Sequence, residues 1–185
     1  MRRFLTTGAR AEQSGWTLLQ RQVASASAAV NFFPLQTAYE EFLFVFDSVV
    51  PQTDTANLGL QVGTGATPTY DTGNNYSYQG FVSSPAAGLA AATATAQSSI
   101  LLIAGLGTGT GENAGGSVIV HNPISALYKT VDSSAFAYSN VPELALRHHV
   151  GLYLSTTAVT AVRFIMSSGN IDAGTFKMFG MKFAS

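Results

Sequence analysis

A chain of 185 residues is long enough to build one domain around its own core. Its charged residues are only 10% of the total and its net charge is −1, which removes the basic footprint that nucleic-acid binding needs. Cysteine is absent, which excludes disulfides, thiolate metal sites and a cysteine nucleophile.

The first stretch, 1–15, is polar and lacks periodicity. Arg2, Arg3 and Arg10 are three of the chain's nine basic residues. This stretch is expected to be an arm or attachment segment, with a single domain over 16–185. "MRRFL" starts basic, but polar "TTGARAEQSG" follows where an apolar run should stand, so no signal peptide is expected. From Trp16 the pattern turns toward strand. "WTLLQRQVA" fits a short helix or a first strand. "TAYEEFLFVFDSVVP" is the clearest strand, with Phe42, Phe44 and Phe46 on one face and Leu43 and Val45 on the other. Pro51 and "QTDT" stop it. "ANLGLQVG" alternates Leu58, Leu60 and Val62 as a further strand, and turn formers fill "TGATPTYDTGNN".

"YSYQGFVSS" follows as a strand or long excursion. "PAAGLAAATATAQSS" leaves a short helix and a loose connection open, because alanine favours helix while Thr and Gly oppose it. "SSILLIAGLG" is a buried strand, far short of the roughly 20 residues of a membrane-spanning helix. "TGTGENAGG" is expected as a hairpin loop leading to the strand "SVIVHN". "SALYKTV" fits another strand, and "SSAFAYSNVPEL" is expected to be irregular. "HHVGLYLSTT" and "AVRFIMSS" are expected to form a hairpin around "TAVT", before the final run "GTFKMFGMKF". About ten short strands with turn signals roughly every 8 to 12 residues predict an all-β fold, a jelly-roll-like antiparallel sandwich.

Few residues offer chemistry. Gly109, Gly111 and Ala114 fit a loose dinucleotide fingerprint, but strand follows where the fingerprint needs a helix. His148 and His149 are adjacent, so on a strand they face opposite ways and cannot chelate one metal. No G-x-S-x-G elbow is present. No pair of carboxylates stands out for glycosidase work. No catalytic residue, metal site or cofactor is expected. One loop is richer. Tyr70, Asp71, Asn74, Asn75, Tyr76 and Tyr78 bring three of the seven tyrosines together with amides and a carboxylate. Stacking rings beside hydrogen-bonding side chains suit a sugar. The alternative is a loop packed on its own sheet or on a neighbouring subunit.

The terminal run has apolar residues on both faces of a strand. Phe176, Met178, Phe179 and Met181 are therefore expected to meet another layer or another copy of the chain. Charge scarcity agrees, because interface cores are depleted in charge.

Two stretches carry a resemblance, Tyr39 to Gly80 and Ala158 to Lys182. Phe46 to Asp54 reads "FDSVVPQTD", Leu58 to Val62 reads "LGLQV", and a G-x-x-Y loop follows. Ser168 to Thr175 reads "SGNIDAGT", and Phe179-Gly180 is an aromatic-Gly pair. These pieces resemble small jelly-roll virion proteins of tailed bacteriophages, of the tail-fibre, spike or head-appendage type. The resemblance implies a structural, non-enzymatic virion protein. It also implies a homotrimer that joins other virion proteins through its N-terminal arm. A host-surface glycan-binding module and a polysaccharide-degrading enzyme are the alternatives. Neither nucleic acid nor membrane insertion is expected.

Overall fold

The computed structural model describes residues 15–138 and 143–182. The arm expected over 1–15 lies outside the described residues except for Gly15. Thirteen strands follow in chain order: β1 (Trp16–Ser27), β2 (Val30–Phe32), β3 (Glu41–Pro51), β4 (Ala56–Thr64), β5 (Thr69–Tyr70), β6 (Tyr76–Ser84), β7 (Gly88–Gln97), β8 (Ile100–Leu106), β9 (Asn113–His121), β10 (Lys129–Tyr138), β11 (Leu144–Tyr153), β12 (Val159–Met166) and β13 (Ile171–Met181). No helix occurs among the described residues.

The strands form a sandwich of two antiparallel sheets. The larger runs β1-β13-β3-β9-β10-β11-β6-β7. The smaller runs β2-β12-β4, with β5 and β8 both pairing with β4. Alternation sets which residues meet between the sheets. Phe42, Phe44 and Phe46 of β3 are buried, whereas Leu43 and Val45 are half-buried on the outer face. Phe164 of β12 stands at the centre of the aromatic core. Its ring centroid lies 6.1 Å from Phe32, 5.8 Å from Phe44, 6.1 Å from Phe46 and 5.1 Å from Phe176.

The terminal strand β13 sits between β1 and β3, with Phe179 opposite Leu18 on one side and Leu43 on the other. Phe176 and Met178 are fully buried in the monomer's own core, which corrects their expected place at an interface. From Gly174 onward the even positions of β13 face the second sheet, so of the four expected interface residues only Phe179 and Met181 remain on the outer face. Gly180 shares the inner face. A Cβ there would lie 2.5 Å from the Tyr39 ring, so glycine is what lets that ring pack.

Of the two readings open for residues 16–24, strand is the one the chain adopts. Three local expectations change. The alanine-rich run is neither helix nor loose connection: Gly88–Gln97 pairs with β6 as an edge strand. Much of "SSAFAYSNVPEL" continues β10 rather than being irregular. The two expected hairpins are crossings instead. Strands β8 and β9 lie in different sheets, as do β11 and β12, because each pair buries apolar residues from opposite sides of one core. Residues 107–112 therefore span the sheets, held by the Gly109 N–H donating to Glu112 Oε2 at 2.6 Å.

Candidate binding site

The tyrosine-rich loop is built around Asp71. Its Oδ1 accepts the Gly73 N–H at 2.8 Å, which closes an Asx turn. Its Oδ2 accepts from Asn75 Nδ2 at 2.8 Å and from the Tyr153 hydroxyl at 2.9 Å. Partial burial pushes the Asp71 carboxyl up, but the hydrogen bonds from Asn75, Gly73 and Tyr153 together outweigh it. The net shift is below the ordinary aspartate value. Tyr76 is fully buried. Its hydroxyl accepts the Val62 N–H at 3.0 Å and donates to the Asp71 carbonyl at 3.0 Å. Burial raises the Tyr76 hydroxyl far above its usual pKa, and burial together with the Asp71 hydrogen bond raises that of Tyr153. The two rings pack with centroids 5.1 Å apart. Beside it, the guanidinium of Arg163 on β12 lies 4.4 Å from the centroid of the half-buried Tyr70 ring on β5. Arg163 Nε donates to Gln61 Oε1 at 2.7 Å, which fixes that cation.

This cluster corrects the sugar-loop expectation at Tyr76. Strand β6 begins at Tyr76, and its alternation turns that ring into the core. Asp71 is consumed by three hydrogen bonds and Tyr70 by Arg163. Only Asn74 and Asn75 stay exposed. Four of the six expected residues, Tyr70, Asp71, Asn75 and Tyr76, thus form or adjoin one closed end of the sandwich.

Tyr78 stands apart from them. It is two residues along β6 and half-buried, and its ring stacks on His149 with centroids 4.8 Å apart. It lines a cleft of about 330 Å³ with Asn57, Gln97, Ser99, Ile165 and Ser167. Beside apolar Leu101, Ile165 and Met166, this lining offers amides, hydroxyls and one aromatic ring and carries no carboxylate, amine or imidazole, a set suited to a neutral polyhydroxylated ligand. Sequence reading missed Asn57, Gln97 and Ser167. They come from three separate strand ends, and no local pattern joins them.

Behind Tyr78, His149 is fully buried. Its Nδ1–H donates to the Leu101 carbonyl at 2.9 Å, so the neutral ring carries its proton on Nδ1. Its Nε2 is buried and has no hydrogen-bond partner among the described residues. Burial lowers the His149 pKa; the Leu101 bond opposes this, while Arg147 and His148 add to it. The unfolded chain therefore binds this proton more readily than the folded one. Stability is full above the ordinary imidazole value, roughly 6.5, and falls as pH drops below it, levelling off under the folded value. The urea midpoint is expected to be lower at pH 5.5 than at pH 7.5, with the difference reduced in His149→Phe. A midpoint that does not fall on acidification would contradict the burial of a neutral ring. Asp71 titrates in a lower window and does not interfere. His148, by contrast, faces outward, 3.7 Å from Asp132. The adjacent histidines thus point to opposite faces.

Among the described residues no group of three or more His, Cys, Asp or Glu is placed to hold a metal ion. No family model matches the chain, and neither a curated protein nor a solved structure matches it.

Proposed function

We propose that this chain is a structural subunit of a tailed-bacteriophage appendage (a tail fibre, spike or head fibre) and that it acts by self-assembly rather than catalysis. The observation that carries this reading is the outer face of the eight-stranded sheet. Leu18, Phe179, Leu43 and Ile119 form one cross-strand row over β1, β13, β3 and β9. Leu18 is 53% exposed. Farther along the sheet, Phe136 and Leu146 pair across β10 and β11 at 45% and 47% exposure. Exposed apolar side chains gathered on one sheet face suit a contact surface. The occupant we favour is a second copy, because the face is apolar along this row and carries both signs of charge, Arg21 and Lys177 on β1 and β13 and Glu41, Asp47 and Asp132 on β3 and β10. A cyclic homotrimer is the assembly we favour.

Strand order supports the virion setting. We read the set β1-β13-β3-β9 with β2-β12-β4-β8 as two nested Greek keys, a jelly roll of the kind used by viral capsid proteins and lectins. The remaining strands enter as insertions. In this reading the N-terminal segment joins other virion proteins. A second role, attachment to a host-surface glycan, is favoured by the polar cleft beside Tyr78. One experiment addresses both. An antibody raised against the purified chain is expected to label head or tail appendages in electron micrographs of particles. It blocks adsorption to cells if the cleft binds the host. Particles that contain no trace of the chain would overturn the structural reading.

A further inference from the structure

The eight-stranded sheet has two edges, and they differ. The β1 edge is blunted. A register shift interrupts it between Leu18 and Gln20, Arg21 adds a charge, and the Gln20 amide donates to the Phe33 carbonyl at 2.9 Å. The β7 edge is less protected: its register shifts once, between the Tyr76↔Gln97 and Tyr78↔Ala94 pairs, and the Gln97 amide donates to the Thr95 carbonyl at 2.8 Å, but it carries no charge. Among the described residues it pairs only with β6 in its sheet, and seven of its ten residues are exposed, on both faces. Its pairing with β6 runs without a shift from Tyr78↔Ala94 to Ser84↔Gly88. From Thr72 to Gly111 the chain contains no Asp, Glu, Lys, Arg or His.

A regular, uncharged strand with a free row of backbone donors and acceptors is a template for one more strand. We propose that β7 pairs antiparallel with β7 of a second copy about a two-fold axis, joining two sheets into one. The occupant is the same strand for three reasons. Identical edges here meet with no like charges opposed. Alanine and threonine side chains leave both faces open to a neighbour. Antiparallel pairing of identical strands closes on itself, as an isologous contact must. Positive φ angles at Gly88 (67°) and Ala96 (53°) bound the extended backbone, and Ala92 lies midway between them. That register sets Ala92 against its own copy, Ala91 against Thr93 and Leu89 against Thr95. Paired residues then share a face, so Leu89 carries the outer apolar surface across the junction.

The contact is separate from the sheet-face contact and does not depend on the virion reading. The chain has no cysteine, so a single introduced thiol reports it cleanly. Ala92→Cys is expected to form a disulfide-linked dimer on mild oxidation, while Val23→Cys on the β1 edge does not. In the wild-type chain, alternate β7 amides are expected to exchange with deuterium at least tenfold more slowly at high protein concentration than on dilution. Ala91→Lys with Thr93→Lys, both at exposed positions, should remove that difference without lowering the melting temperature. If Ala92→Cys stays uncrosslinked, or if β7 exchange is independent of concentration, the edge pairing is wrong. Loss of antibody labelling on particles would leave these outcomes unchanged.

Discussion

Phe164→Ala is expected to lower the unfolding free energy by about 3–5 kcal/mol, measured by urea denaturation. Phe164 is fully buried and touches aromatic rings from β2, β3 and β13. Truncation removes the transfer free energy of the ring and leaves a cavity that four large rings cannot fill without leaving their rotamers. The loss is a large part of the roughly 5–15 kcal/mol that holds a domain of this size. The variant is expected to be unfolded or aggregated at moderate temperature. A change below about 1 kcal/mol would mean that the two sheets do not meet at this ring.

Phe179→Asp is expected to act on assembly and leave the fold in place. Phe179 is half-buried on the outer face, so in the monomer an aspartate there keeps its water. Losing its cross-strand contacts with Leu18 and Leu43 costs on the order of 0.2–1 kcal/mol each. In a subunit contact the same carboxylate would be buried without a partner, at a cost of several kcal/mol. Every 1.4 kcal/mol is tenfold in affinity, so association should weaken by roughly a thousandfold. Unfolding midpoint and sedimenting mass measured on one preparation separate the two effects. A large fall in the midpoint with unchanged mass would place Phe179 in the core.

The alternation of Phe42, Phe44 and Phe46 was legible because one face of β3 is wholly apolar and buried. In β13 the pattern was blurred for a physical reason: the outer positions Phe179 and Met181 are apolar too, so polarity could not say which face was inner. Strand β7 was illegible because alanine prefers helix locally, and only its pairing with β6, closed by the turn at 85–87, makes it a strand. The two missed crossings share one cause. A short connection between two apolar strands reads as a hairpin, yet those of β8–β9 and β11–β12 step between sheets. The Asp71 turn was visible in its residue types, but that Tyr76 turns inward depended on where β6 begins. The Tyr78 cleft was invisible, since strand ends distant in the chain supply its polar groups.

In the proposed assembly the outer face of the large sheet is a contact between copies. Sedimentation equilibrium of the wild-type chain at micromolar concentration tests it most directly. A trimer or a larger species is expected, reduced to a dimer or monomer by Phe179→Asp. A wild-type chain that sediments as a monomer across that range, with Leu18 and Phe179 left in water, would contradict it.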